Sequence, residues 1–143
     1  MMMTRSLLLM ALSCWVASCG TTEPNEIVEL SELFDISEDG PAVVPDTVTV
    51  GVPFTVSVWT LMSTCEIQGE TVVEMLSEIS MEALVIPYTI YIGKRGNTGP
   101  CLTGGTAEHI ATIQFNRVGL AKVFVRGNEV GVNPDRVYEV VVR

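Results

Sequence analysis

Apolar residues at every second position dominate the middle of the chain. In "VTVGVPFTVSVW", Val48, Val50, Val52, Phe54, Val56 and Val58 share one parity, with Thr, Gly, Pro and Ser between them. A period of two is what a half-buried strand requires. Gly51 and Pro53 break the run into two strands. Similar runs rich in Val, Ile, Thr and aromatics predict strands over 71–77, 83–92, 108–116, 119–126 and 136–143. Turn-rich stretches such as "KRGNTGPCLTGGTA" and "GNEVGVNPD" separate them. About seven short strands without helical interludes predict an all-β chain, a single antiparallel β-sandwich.

The first twenty residues follow another pattern. Arg5 precedes an apolar run from Leu7 to Ala17, interrupted by Ser13 and Cys14. That is the layout of a secretory signal peptide. The run is shorter than the roughly 20 residues a spanning helix needs. Val16-Ala17-Ser18-Cys19 resembles the bacterial lipobox: an aliphatic residue, two small residues, then the cysteine that is acylated and becomes the new N-terminus. Cys14 fits less well, because Leu12 stands where a small residue is usual. The resemblance implies a lipoprotein signal peptide over 1–18 and lipid attachment at Cys19, with several acyl chains that together anchor stably. Gly20 follows the cysteine rather than the Asp that, in well-studied Gram-negative bacteria, tends to hold lipoproteins at the inner membrane. Export with a lipid anchor, on the periplasmic side and favouring the outer membrane, is the resulting expectation.

Residues 19–40 read as an acidic tether. Seven acids and no base lie between Gly20 and Gly40, with Glu23, Glu26, Glu29, Glu32, Asp35 and Glu38 at every third position. A spacing of three matches neither a strand nor one face of a helix, so a membrane-lying amphipathic helix is not expected. Val28, Leu30, Phe34 and Ile36 nevertheless share a parity. The segment is therefore either a solvated linker or an edge strand docked on the domain over 41–143.

Charge and composition narrow the rest. The formal charge is −9, but residues 41–143 carry ten acids against seven bases. The excess is thus mostly local, and a nucleic-acid partner, which needs clustered cations, is not expected. Apolar residues at 48% suffice for a core.

Two longer patterns sharpen the sandwich. "PDTVTVGVPFTVSV" is similar to the opening strand pair of bacterial immunoglobulin-like domains. "ATIQFNRVGLAKVFVRG" is similar to their late corner, with Phe115, Gly119, Ala121, Val123 and Val125 at the matching positions. The resemblance spans residues 42–143 and implies an immunoglobulin-like sandwich. A fold of this kind carries no activity by itself. The Cys and Trp spacing of antibody domains is absent, and Trp59 has no cysteine in the matching places.

With Cys14 lost and Cys19 acylated, Cys65 and Cys101 remain as an even pair, which in an oxidising compartment reads as one disulfide. The competing reading is a metal site built from Cys65, Cys101 and His109, the single histidine. It lacks the closely paired ligands of structural zinc sites, and one histidine does not make a blue-copper centre. His109 shares parity with Ala111, Ile113 and Phe115, which predicts an inward imidazole at the end of the core. There is no Gly-x-Ser-x-Gly, His-Glu-x-x-His or phosphate-binding loop, so no catalytic residue and no cofactor is assigned. Trp59 and Leu61 fall on the parity opposite Val56 and Val58, and Phe124 opposite Val123 and Val125. Such outward residues mark an interface unless the acidic segment or a loop covers them, which is the simpler expectation. The expected function is a non-catalytic binding or assembly module, meeting the membrane through its lipid and an envelope protein or polysaccharide through its fold. The alternatives are the metal-binding protein just described and a purely structural envelope component.

Overall fold

A computed structural model describes residues 26–92, 100–128 and 135–143. Among these the chain is all-β, with ten strands and no helix. They are β1 (Ile27–Leu30), β2 (Glu32–Leu33), β3 (Ala42–Val43), β4 (Thr47–Val48), β5 (Phe54–Ser63), β6 (Glu66–Ser77), β7 (Glu82–Tyr91), β8 (Thr103–Ile113), β9 (Gly119–Arg126) and β10 (Asp135–Val142). Sheet A runs β1-β7-β9-β10-β4, with β6 on the other side of β7. Sheet B runs β2-β5-β3, with β8 on the other side of β5.

The period-two pattern decides what faces inward. Val56 and Val58 of β5 and Ala111 and Ile113 of β8 meet Ala83 and Val85 of β7, Ala121, Val123 and Val125 of β9, and Val140 and Val142 of β10 in one buried cluster. Phe115 closes it, its ring 5.7 Å from that of Phe54. Residues of both sheets thus share a single core, the layering expected of packed sheets. Two pairings are parallel, β4 with β10 and β7 with β9, so sheet A is mixed where an antiparallel sheet was expected. The cause of the second is that β8, lying between β7 and β9 in the chain, belongs to sheet B; the chain returns to sheet A running the way it left.

The long predicted strands are found, with shifted starts. β6 begins at Glu66 rather than 71, and β8 begins at Thr103 rather than 108, so "TGGTA" is strand and not loop. Pairing of Thr106 with Leu61 and Gly105 with Met62 overrides the weak strand preference of glycine.

From Glu26 onward the acidic segment is built into the sheets rather than solvated. β1 pairs with the Tyr88–Tyr91 end of β7, and β2 pairs with Thr60 and Leu61 of β5. The parity expected to dock is the outward one: Val28, Leu30, Phe34 and Ile36 are exposed, while Ser31 and Leu33 are buried. The chain crosses from sheet A to sheet B at this point, and Ser31 fills the crossing. Its amide donates to the Pro87 carbonyl, its carbonyl accepts from the Asn128 amide, and its hydroxyl bonds the Thr89 hydroxyl at 2.5 Å. Gly127 permits the crossing, since a Cβ there would stand 2.8 Å from the Ser31 carbonyl oxygen.

Candidate functional site

Cys14, Cys19 and the expected leader lie outside the described residues, in which the chain enters at Glu26. That entry is at one end of β7, where Ile27 stands opposite Tyr91 and, on the other side of β7, Glu66 stands opposite the same residue.

A disulfide joins Cys65 and Cys101 at this end, with Cα atoms 5.5 Å apart. Cys65 sits in the turn between β5 and β6, and Cys101 leads into β8. Backbone bonds run beside the bridge. Thr64 donates to the Leu102 carbonyl, Leu102 donates to the Thr64 hydroxyl, and Ile92 donates to the Cys65 carbonyl. The Tyr91 hydroxyl lies 3.8 Å from the Cys101 sulfur. The bond between the sulfurs uses both thiolates that a metal would need, and among the described residues no group of three or more His, Cys, Asp or Glu side chains is placed to hold a metal ion.

His109 stands elsewhere, at the centre of β8 and opposite Val58. It points inward and is fully buried. Nδ1 lies 3.0 Å from the Thr71 hydroxyl of β6. Nε2 has no hydrogen-bond partner, nor has the buried Thr60 hydroxyl on the neighbouring strand. A hydroxyl beside an imidazole is the start of a nucleophile and base pair. Here the pair has no route to solvent on the imidazole side, and its evident consequence is to tie β6 to β8. Burial lowers the affinity of the imidazole for a proton below its ordinary value. A neighbouring contact reinforces the tie, as the Gln68 side chain donates to the Glu108 carbonyl at 2.8 Å.

Trp59 and Leu61 face outward from sheet B and are half-buried, bordered by β2 and by Phe34, whose amide donates to the Trp59 carbonyl. Phe124 faces outward from sheet A, opposite Val137. The sequence alone presents Phe124 as a single outward aromatic. The structure sets it in a wider apolar area, because β7 is apolar on both parities: Leu84 and Ile86 alternate with the core residues Ala83 and Val85, yet are themselves buried. The unbroken run "ALVIPY" was the available signal. The charged groups on this face are mixed in sign. Arg126 and Asp135 form a two-point ion pair at 2.8 and 2.9 Å, which holds the Asp135 carboxyl below its usual range. Lys122 pairs in register with Glu82 on one side and Glu139 on the other.

The surface hollows do not converge on a reactive group: an open one of about 640 Å³ is lined by Asp39, Val43, Asp46, Val137, Tyr138 and Glu139, and two others are smaller. A cleft of about 140 Å³ is lined by Met75, Met81, Phe115 and Arg117 beside the β6–β7 turn. Another of about 160 Å³, at the entry end, includes Glu29, Glu32 and Glu66. In comparisons with known proteins, no family model, no curated protein and no solved structure matches this chain.

Proposed function

We propose that this chain is a bacterial envelope lipoprotein, held by acyl chains on Cys19, whose immunoglobulin-like domain is a binding or assembly module for an envelope protein or polysaccharide and performs no catalysis. The observation that carries the reading is "VASC" at the end of a short apolar leader, followed within eight residues by the first strand at Ile27. A lipid anchor is thus joined almost directly to a folded domain. The disulfide fits the same compartment, since such bonds persist outside the reducing cytosol. The outer membrane is favoured because Gly20 follows the cysteine.

Mass spectrometry of the full chain, expressed in a bacterial host and extracted from its membranes, tests the anchor. The expected species begins at Cys19, carries the added mass of acyl chains and lacks the two hydrogens of the disulfide. A Cys19→Ser variant should lose the acyl mass and leave the membrane fraction. Recovery of an unmodified chain beginning at Met1 overturns the reading. The binding role is tested by affinity capture from envelope extract: a protein or polysaccharide enriched over an unrelated lipoprotein supports it, and no enrichment leaves the purely structural component instead.

A further inference from the structure

Resting on the binding reading above and narrowing it, we propose that the open edge of β10 receives an extended, basic segment of a partner protein, which adds a strand to sheet A. β10 pairs with β9 along its whole length, from Asp135 to Val142, but with β4 only at Val141 and Val142. The direction of its backbone groups follows from those contacts. Val141 gives its amide to the Asp46 carbonyl and Arg143 gives its amide to the Val48 carbonyl, both on the β4 side. Backbone groups alternate in direction along a strand, so Val137 and Glu139 turn theirs to that same side. Among the described residues no strand pairs with them there. An unpaired edge is a template for another strand. The open stretch, Asp135 to Val140, spans about 20 Å, the length of a common strand.

The hollow of about 640 Å³ lies along this edge. Val137, Tyr138 and Glu139 line it on one side, and Ala42, Val43 and Val44 on the other. Runs of consecutive residues, rather than every second one, mean that strand edges and not faces form these walls. The second wall continues β3 of sheet B, so the hollow opens between the edges of the two sheets. A bond ties the walls together, from the Ala42 amide to the Tyr138 hydroxyl at 3.2 Å. Val43 and Val137 are exposed and offer apolar surface beside the unpaired backbone.

Charge selects the occupant. Asp39, Asp46 and Glu139 line the hollow, and no Lys or Arg does. Lys122 stands opposite Glu139 on the β9 side, and Arg136 pairs with Asp35 at 3.6 Å. A second copy laid edge to edge would bring these carboxylates against their own kind. The chain's own residues 20–26 carry two acids and no base, so they meet the same repulsion. So does an anionic glycan, and a neutral one lacks the alternating N–H and C=O groups that a strand edge pairs with. A basic peptide strand satisfies every group. Its main chain bonds Val137 and Glu139, its apolar side chains meet Val43, Val44 and Val137, and lysines or arginines between them reach the three carboxylates.

The experiment uses the full lipidated chain in detergent and a random library of short peptides displayed on phage. Enriched peptides should carry more Lys and Arg than Asp and Glu, with apolar residues at alternate positions. An enriched peptide bearing a fluorophore is then titrated against wild type and variants. Val137→Pro removes an amide turned to the open edge and blocks that edge, and should bind at least about tenfold more weakly. The Asp46→Lys/Glu139→Lys double variant, which decides the matter if Val137→Pro does not fold, should also lose at least about tenfold. Ile110→Lys, exposed on sheet B, should bind as wild type does. In the free chain the Val137 and Glu139 amides should exchange rapidly, and bound peptide should slow both at least about tenfold. A library that enriches nothing, or enriches peptides without a cationic excess, overturns the proposal. So does binding that the edge and charge variants keep. Amides already protected in the free chain overturn it too, and protection that grows with protein concentration identifies a second copy as the occupant. Capture from envelope extract judges the binding reading separately. A component enriched equally by wild type and the double variant leaves that reading standing without this one, whereas no enrichment by wild type, with no peptide selected, removes both.

Discussion

The imidazole of His109 is enclosed between β5 and β6, with Val58 opposite it and the Thr71 hydroxyl on Nδ1, while Nε2 bonds to nothing. A second proton would put a donor on both ring nitrogens and leave one of them, charged, among valines and unbonded Thr60. The folded protein therefore keeps the ring neutral, and its proton affinity lies below the ordinary value of 6.5 because of burial. The unfolded chain takes up the proton first as pH falls. Stability from this residue is fully present above pH 6.5 and declines as pH falls below it, until the folded state is protonated too. The slope for one group is at most about 1.4 kcal/mol per pH unit. Urea unfolding of the full chain between pH 4.5 and 7.5 should show the midpoint falling below pH 6.5, with a His109→Asn variant flatter over the same range. A wild-type midpoint that does not move there contradicts the assignment. The Arg126–Asp135 pair acts in a different window, because the depressed Asp135 carboxyl gives up its contribution only below the usual carboxylate range.

At the scale of single strands, β6 shows how one residue sets a path. Its register against β7 slips between Gln68 and Thr71, so that Gly69 and Glu70 together oppose Tyr88. This is a bulge, and a bulge bends its strand. On either side of it Gln68 and Thr71 make the contacts that reach across to β8. A Cβ on Gly69 would lie 2.6 Å from the Tyr88 carbonyl oxygen, and backbone cannot yield cheaply there. Gly69→Ala should therefore destabilise by about 1–3 kcal/mol in thermal or urea unfolding. Gly104→Ala, whose Cβ meets nothing within 4 Å, should stay within about 0.5 kcal/mol of wild type. Equal effects would remove the steric account of the bulge. The bulge was not legible in the sequence, where "EIQGET" offers a glycine and no partner. Strands with a clean alternation, β9 above all, were legible to the residue, since one polar and one apolar face fix both existence and register. β1 and β2 were legible only as one of two alternatives. Four and two residues long, they exist through pairing with β7 and β5, and the inward turn of Ser31 and Leu33 follows from crossing between sheets, which no local pattern encodes.

For the molecule as a whole, the disulfide and the chain entry share one end, and this predicts where the protein yields first. Cys65 and Cys101 are 36 positions apart, and in the loop-entropy account a bridge of that span contributes about 3–4 kcal/mol. Its loss is not felt evenly. The Cys65 carbonyl accepts from the Ile92 amide, Ile92 follows Tyr91, and Tyr91 faces Ile27 across β7 and β1. β1 has four residues, all exposed, so it holds its place through this ladder rather than through burial. By contrast, β9 and β10 pair over eight residues and carry Val123, Val125 and Val140 in the core. In the Cys65→Ser/Cys101→Ser double variant, hydrogen exchange should accelerate first in Ile27–Leu30 and Tyr88–Ile92, with β9 and β10 slowed to the rate of global unfolding. The bridge thus secures the strand through which an anchored domain would be held. A double variant that loses protection uniformly across both sheets would instead show the disulfide acting on the unfolded chain alone. Exchange that rises only in β8, beyond Cys101, would place its local effect on the other side of the bridge.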